Sequence, residues 1–395
     1  VKSADERARQ SEVIPSEPWA HWVDDSCRAI VDGGRWRSLR AFDAAGPRGR
    51  LLTNKGTPAH EVVSFASNDY LGLTQHPAVK AAAIEATERW GTGSGSARLV
   101  VGSRPIHHEL ETALAAWRTT EAALIFPTGF SANLSVLATF GGPDVRIFSD
   151  ELNHASIIDG TRLARAEVAI YRHRDLDHLS SLLETARSDS VGRTIIVTDS
   201  VFSMDGDLAP LDEIVSLAAN YQSLLVVDEA HDLLSPPRDF GACATLRVGT
   251  MSKALGSLGG FVAGPQQFID LLINAARPFI FTTAPTPGDT AAAIAAVRIV
   301  SSTEGDKLRA TLRSHIEQVA PGHPSPVIPI VIGDEHEAVA ASASLLDRGL
   351  LVPAIRPPTV PVGTSRLRVA LSAAHTAEQI RDLIDGLNQL ASSPR

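Results

Sequence analysis

The sequence predicts an α/β fold, with a mostly parallel sheet sandwiched by helices in a large domain and a smaller C-terminal α/β domain. Three observations predict it. Short β-branched or apolar runs recur at 122–126, 145–148, 167–171, 194–198 and 224–228. Helical patterns at 132–139, 155–166, 176–186 and 211–219 separate most of them. Strand alternating with helix is the pattern of a parallel sheet covered on both faces. The third observation is length: 395 residues exceed what one compact core accommodates, so a large and a smaller domain are expected.

In chain order, residues 1–20 are charged and proline-interrupted and predict a loose arm. Residues 20–39 carry tryptophans and predict a helix, and the turn residues of 46–58 predict a hairpin or linker. The strand–helix alternation begins near Val62, and 247–249 and 260–263 add strands near the sheet edge. A long helical stretch over 287–319 and a connector at 321–329 follow. A strand at 327–332, a helix over 335–348, strands at 351–355 and 366–371 and a helix from Thr376 predict the small domain. The expected division is an N-terminal segment 1–63, a large domain 64–305 and a small domain 306–395.

Composition narrows the function. With 44% hydrophobic and 21% charged residues the chain is ordinary for a soluble globular protein. A net charge of −9 argues against nucleic acid or an anionic membrane as partner. Two cysteines, Cys27 and Cys243, make neither a disulfide framework nor a zinc site and predict a reducing, cytoplasmic setting. No signal-peptide pattern is visible, and the apolar stretch 290–300 is too short to span a bilayer. Glu335-His336-Glu337 lacks metal-site spacing and predicts a solvated helix start.

The chemistry concentrates at strand ends, where open α/β sheets bind ligands. Val226-Val227-Asp228-Glu229-Ala230-His231 ends one strand, and Lys253 follows in Gly249-Thr250-Met251-Ser252-Lys253-Ala254-Leu255-Gly256. An aspartate, a histidine three residues on and a lysine among small residues is the set that a pyridoxal phosphate (PLP) site needs. The lysine makes the Schiff base, and the carboxylate keeps the pyridine nitrogen protonated. Plainer alternatives are a surface lysine in a glycine-rich loop and an Asp228 paired with an arginine. Pro127-Thr128-Gly129-Phe130-Ser131-Ala132-Asn133 opens a helix whose free N–H groups favour a phosphate, or is an ordinary turn. His154 can stack on a planar ring or simply cap a helix. Ser203 can hydrogen-bond a ring oxygen or simply belong to a polar turn. The glycine-dense Gly91-Thr92-Gly93-Ser94-Gly95-Ser96-Ala97-Arg98 has neither Walker nor Rossmann spacing, and is an active-site loop or a connection. It is the ordered coincidence of these clusters along one domain that carries the reading.

The chain resembles the α-oxoamine synthases, a branch of the fold-type I PLP-dependent enzymes, from about Ser64 to its C-terminus. The resemblance lies in Ser67-Asn68-Asp69-Tyr70-Leu71-Gly72, Gly93-Ser94-Gly95-Ser96-Ala97-Arg98, Asn153-His154-Ala155-Ser156, Val201-Phe202-Ser203-Met204-Asp205-Gly206, Asp228-Glu229-Ala230-His231 and Ser252-Lys253-Ala254. Ile355-Arg356-Pro357-Pro358-Thr359-Val360-Pro361, with Gly363-Thr364-Ser365-Arg366-Leu367-Arg368, resembles the branch that condenses L-alanine with a pimeloyl thioester, on coenzyme A or a carrier protein, in biotin biosynthesis. The resemblance implies a homodimer with active sites shared between subunits. It implies that Lys253 forms the Schiff base, Asp228 pairs with the pyridine nitrogen, His231 and Ser203 approach the ring hydroxyl, and His154 stacks on the ring. Gly129, Phe130 and Thr250 would hold the phosphate, with Thr282 and Thr283 reaching it from the neighbouring subunit. Arg368 would bind the amino-acid carboxylate, with Asn68 nearby and Arg40 facing the acyl substrate. One stretch departs from the family: Asp232-Leu233-Leu234-Ser235-Pro236-Pro237-Arg238-Asp239 stands where a glycine-rich run is usual, and His231 to Lys253 is shorter than the family spacing. Other members of the family, a transaminase, and a catalytically inactive scaffold on the same fold are the competing readings.

Overall fold

The computed structural model describes residues 17–52, 58–189, 191–232, 234, 238–241 and 243–392. Two compact units divide the chain, Val1–Val63 and Ser64–Arg395.

In the first unit, helix α1 (Glu17–Asp32) precedes three antiparallel strands, β1 (Phe42–Ala44), β2 (Arg48–Leu52) and β3 (Pro58–Ser64). The helix expected over 20–39 is shorter at its far end because two glycines follow it. Gly33 N–H closes on Ala29 O, and Gly34 takes φ +65°, the left-handed geometry that ends helices. It also starts earlier, so 17–20 belong to α1 and not to a loose arm; residues 1–16 of that arm lie outside the described residues. The expected hairpin is present between β1 and β2, where Gly46 sits at φ +114°. Residues 53–57 of it lie outside the described residues.

The second unit starts with α2 (Pro77–Trp90) and α3 (Pro105–Arg118). Then strand and helix alternate: β4 (Ala122–Phe126), α4 (Gly129–Phe140), β5 (Val145–Asp150), α5 (Ala155–Leu163), β6 (Glu167–Tyr171), α6 (Leu176–Ser188), β7 (Arg193–Asp199), α7 (Leu211–Asn220), β8 (Leu224–Asp228), β9 (Thr245–Thr250) and β10 (Gly260–Gly264). The seven strands form one sheet in the order β4-β10-β9-β8-β7-β5-β6. Neighbours from β9 to β6 are parallel. β10 runs antiparallel to both β4 and β9, because a loop over 251–259 rather than a helical crossover joins it to β9. It therefore lies inside the sheet, with β4 outside it.

Alternate residues of each strand enter the two faces. Val197, Val226, Val248 and Val262 pack under α4, α5 and the following α8 (Gln266–Ala275). Ile196, Leu225 and Val227 pack under α6 and α7. Burying both faces is what makes these strands continuous apolar runs in the sequence.

After α9 (Arg277–Ile280), the expected single helical stretch over 287–319 is two helices, α10 (Pro287–Val300) and α11 (Thr303–Val319). Ser302 breaks it by turning its hydroxyl to the Glu304 N–H as an N-cap. Then come β11 (Val327–Gly333), α12 (Glu335–Asp347), β12 (Leu350–Leu351), β13 (Ala354–Ile355), β14 (Ser365–Ala370) and α13 (Ala377–Ser392). β11, β14 and β13 make an antiparallel sheet. The strand expected over 351–355 is interrupted at Pro353, which has no N–H for a ladder. Among the described residues no helix is long and apolar enough to cross a membrane.

Candidate active site

Strand order reverses at β5 and β7, and the carboxyl ends of β4, β5, β7, β8 and β9 surround a cavity of about 240 Å³. Thr128, Gly129, Phe130, Asn133, His154, Ser156, Asp199, Ser203, Asp228, His231, Thr250 and Lys253 line it. A larger cavity of about 780 Å³ lies at the opposite ends of the strands, bordered by Arg193, Thr194 and Leu224. It brings together no comparable set of reactive side chains.

Each wall has a local cause. Thr128 caps α4 by accepting from Ser131 N–H at 3.0 Å, which leaves the Gly129 and Phe130 N–H groups at the open end of the helix. A Cβ on Gly129 would meet Thr250 Cβ at 3.2 Å, and one on Gly260 would strike the Gly129 nitrogen at 2.4 Å. The helix start can approach β9 and β10 this closely only because these residues lack side chains. His154 caps α5, accepting from Ser156 N–H at 3.2 Å, and also lines the cavity.

Asp228 is 7% exposed. Its carboxylate accepts from Asn133 Nδ2 at 2.6 Å and from Ala230 N–H at 2.9 Å. The arginine pairing considered for it belongs instead to the next residue. Glu229, on the other side of the strand, pairs with Arg247 at 2.7 Å and Arg118 at 3.5 Å. Beside Asp228, in register across the β7–β8 ladder, stands Asp199. It is 3% exposed with both carboxylate oxygens unpartnered, and burial, then the nearby Asp228 charge, push its pKa well above the usual range.

Lys253 Nζ lies 2.9 Å from His231 Nε2. Burial lowers the lysine pKa although Asp228 and Asp199 oppose it. Burial also holds His231 well below its ordinary value, reinforced by the charges of Lys253 and Arg368. His231 Nδ1 is 2.6 Å from Tyr70 Oη, and Tyr70 donates to Asn68 Oδ1 at 3.0 Å. Both terminal nitrogens of Arg368 donate to the same oxygen at 3.3 Å, and its Nε donates to Ser203 O at 2.7 Å. Arg366 and Arg368, two apart on β14, point to one side, and Arg366 pairs with Asp205.

The structure thus brings together Lys253, Asp228, His231, His154, Ser203, Gly129, Phe130 and Thr250 at the cavity, with Asn68 and Arg368 linked to it through His231 and Ser203. Thr282 and Thr283 are exposed and are not part of its lining. Gly91–Arg98 is not part of it either: Ser94 is buried and donates to Pro285 O at 2.6 Å, and Arg98 pairs with Glu111 at 2.9 Å. Arg40 is exposed in the first unit. Of the stretch departing from the family pattern, Leu233, Ser235, Pro236 and Pro237 lie outside the described residues. Sequence reasoning assigned no role to Tyr70, Asn133, Ser156 or Asp199. Tyr70 stood inside a quoted motif, and Asn133 is four residues after Gly129, on the same helix face.

The donors fit PLP. An amine with lowered pKa, a buried carboxylate opposite it and a helix start made accessible by glycine supply an attachment point, a partner for a ring cation and an anion cradle. Among the described residues no group of three or more His, Cys, Asp or Glu is placed to hold a metal.

The loop after β7 is clamped from outside. His173 contacts Asp150 Oδ1 and Asp207 Oδ2, each at 2.9 Å, and Arg174 adds a pair to Asp207 at 3.0 Å. Burial pulls the His173 pKa down, but the bonds to the two carboxylates outweigh it and hold it at about 9. A histidine whose folded pKa is raised stabilises fully below its unfolded value of about 6.5, and loses that contribution as pH rises through the folded value. Wild type should therefore lose melting temperature relative to His173→Gln between about pH 6.5 and 9. Thermal melts across that range check this, and parallel curves for the two proteins refute it.

The family model for aminotransferase class I and II matches residues 60–387. The chain is 44% identical over 387 residues to 8-amino-7-oxononanoate synthase of Anaeromyxobacter dehalogenans, covering 93% of this chain and 94% of that one. It is 45% identical over 365 residues to the enzyme of the same name from Methylobacterium sp., covering 90% and 96%. Among solved structures, a serine palmitoyltransferase variant from S. paucimobilis with a bound PLP–myriocin aldimine superposes with a TM-score of 0.85 at 28% identity, covering 93% of this chain and 96% of that one. The crystal structure of 8-amino-7-oxononanoate synthase from Francisella tularensis gives 0.69 at 26% identity, covering 84% and 98%.

Proposed function

We propose, for a chain that belongs to the 8-amino-7-oxononanoate synthase family of the class I and II aminotransferases, that it condenses L-alanine with a pimeloyl thioester to 8-amino-7-oxononanoate, carbon dioxide and free thiol. It is a PLP-dependent acyltransferase of that family. The observation that carries the substrate reading is the 44% identity to a synthase of that name, which spans 93% of the chain and includes the strand ends around the cavity. The serine palmitoyltransferase variant superposes with a TM-score of 0.85 but is 28% identical to the chain, against 44% for the Anaeromyxobacter synthase.

When bound, PLP supplies an electron sink for negative charge at the substrate Cα. The chain's own residues do the rest. Lys253 anchors the cofactor and then removes and returns the proton at Cα; its lowered pKa makes the free amine available for this. Asp228, oriented by Asn133 and the Ala230 N–H, would pair with the pyridine nitrogen. His231 and Ser203 would approach the ring hydroxyl, and His154 would stack on the ring. The Gly129 and Phe130 N–H groups and Thr250 would hold the phosphate. Arg368, held by Asn68 and Ser203 O, receives the amino-acid carboxylate.

In this reading the protein is a cytoplasmic homodimer, with a large domain over 64–305 and a small one over 306–395. Thr282 and Thr283 complete the neighbour's phosphate site, and Arg40 faces the acyl chain. In support, Thr283 bridges to Ala97, which joins this segment to the exposed Leu99, Val100 and Val101. The thioester is carried by coenzyme A or a carrier protein. Carboxyl-labelled L-alanine should release labelled carbon dioxide in step with free thiol, and only when pimeloyl thioester is present. Glutamate formation from 2-oxoglutarate without carbon dioxide release would make the protein a transaminase instead.

A further inference from the structure

The geometry points to Tyr70 as a positioning residue that fixes which nitrogen of His231 carries the proton and thereby presents a hydrogen-bond acceptor to Lys253. The inference rests on the reading of Lys253 as the cofactor-binding amine.

It follows from counting donors along one chain of contacts. Arg368 has only donors, and both its terminal nitrogens reach Asn68 Oδ1. That oxygen is an acceptor only, and Tyr70 Oη, 3.0 Å away, gives it its single proton. Having spent that proton, Tyr70 Oη must accept at its other contact, 2.6 Å from His231 Nδ1. His231 therefore carries its proton on Nδ1. Its Nε2 lone pair faces Lys253 Nζ at 2.9 Å and accepts from it. The direction of every bond is set from the Arg368 end. Tyr70 is fully buried, and burial pushes its hydroxyl up to about 12, so it stays protonated. Asn68 cannot take a proton onward, so the chain is a lock on polarity and not a conduit.

An acceptor facing Lys253 favours the ammonium form, whereas an Nε2–H facing it would favour the free amine. Asp228 and Asp199 also favour the ammonium, and burial and Arg368 oppose it. Tyr70→Phe deletes only the hydroxyl, so His231 can take either tautomer and the Lys253 midpoint should fall.

The test uses the full-length protein freed of cofactor. Nitrogen NMR of labelled histidine should show the His231 proton on Nδ1 in wild type. The rate at which added pyridoxal 5′-phosphate develops its lysine-dependent absorbance should rise with pH, with a midpoint about one unit lower in Tyr70→Phe, which is up to about tenfold faster below the midpoint. A proton on Nε2 in wild type overturns the inference whether or not the variant folds. So does an unchanged midpoint in a folded variant. If wild-type protein develops no absorbance that Lys253→Ala removes, it is the cofactor reading that fails and not the tyrosine lock.

Discussion

Lys253→Ala is expected to abolish turnover, by at least about 10³-fold, because one amine is both the cofactor's anchor and the base at Cα. The loss will be chemical and not structural. The turn that carries Lys253 is closed by backbone bonds from Met251 N–H to Gly259 O at 2.9 Å, from Gly256 N–H to Lys253 O at 2.9 Å and from Ser257 N–H to Met251 O at 2.9 Å. None involves the lysine side chain. Removing the amine relieves its burial and its repulsion from Arg368, and in return gives up its attraction to Asp228 and Asp199. A melting temperature near that of wild type, with no carbon dioxide released from labelled alanine, is the expected pair of results. Near-normal turnover would remove Lys253 from the mechanism.

The second large effect is at Asp228. Asp228→Asn keeps the shape of the side chain and loses its charge, and kcat should fall by about 10²–10³-fold, as when a preorganised electrostatic partner is removed. A further cost is visible in the structure. Both carboxylate oxygens are acceptors, one from Asn133 and one from the Ala230 N–H. An asparagine amide must turn its NH2 toward one of these donors, leaving a buried mismatch of about 1–3 kcal/mol. The variant should thus be both slower and less stable, and kinetics with parallel melts separate the two. Unaltered kcat would mean that another group partners the cofactor nitrogen, and Asp199, level with it on β7, is the first to examine.

Much of this was legible in the sequence where one physical rule acts alone. Ala122–Phe126 and Leu224–Asp228 are strands at the expected bounds, because strands buried on both faces must be apolar throughout; Glu167–Tyr171 also keeps its expected bounds, as the exposed edge of the sheet, where β-branched Val168 and Ile170 mark it. Lys253, Asp228 and His231 were legible because their residue types are costly to bury without a purpose. What was not legible depends on partners distant in the chain. Tyr70 meets His231 across 161 positions, and Asn68 meets Arg368 across 300. Nor does local sequence say that Glu229 rather than Asp228 takes the arginines; strand alternation and the neighbours on β9 decide it. The break at Ser302 was readable in principle, since a serine followed by an acidic first turn is a helix start, but the apolar periodicity on either side masks it.

The antiparallel return of β10 gives the site its tolerance. Lys253 hangs on a span whose two ends are both pinned into the same sheet, β9 on one side and β10 on the other. The second pin abuts the α4 start at Gly260, backbone against backbone. The spacing between the reactive amine and the anion cradle is therefore gauged by main chain alone. Side chains on the outer helices can be exchanged without retuning it, whereas a single methyl group at Gly260 would reset it.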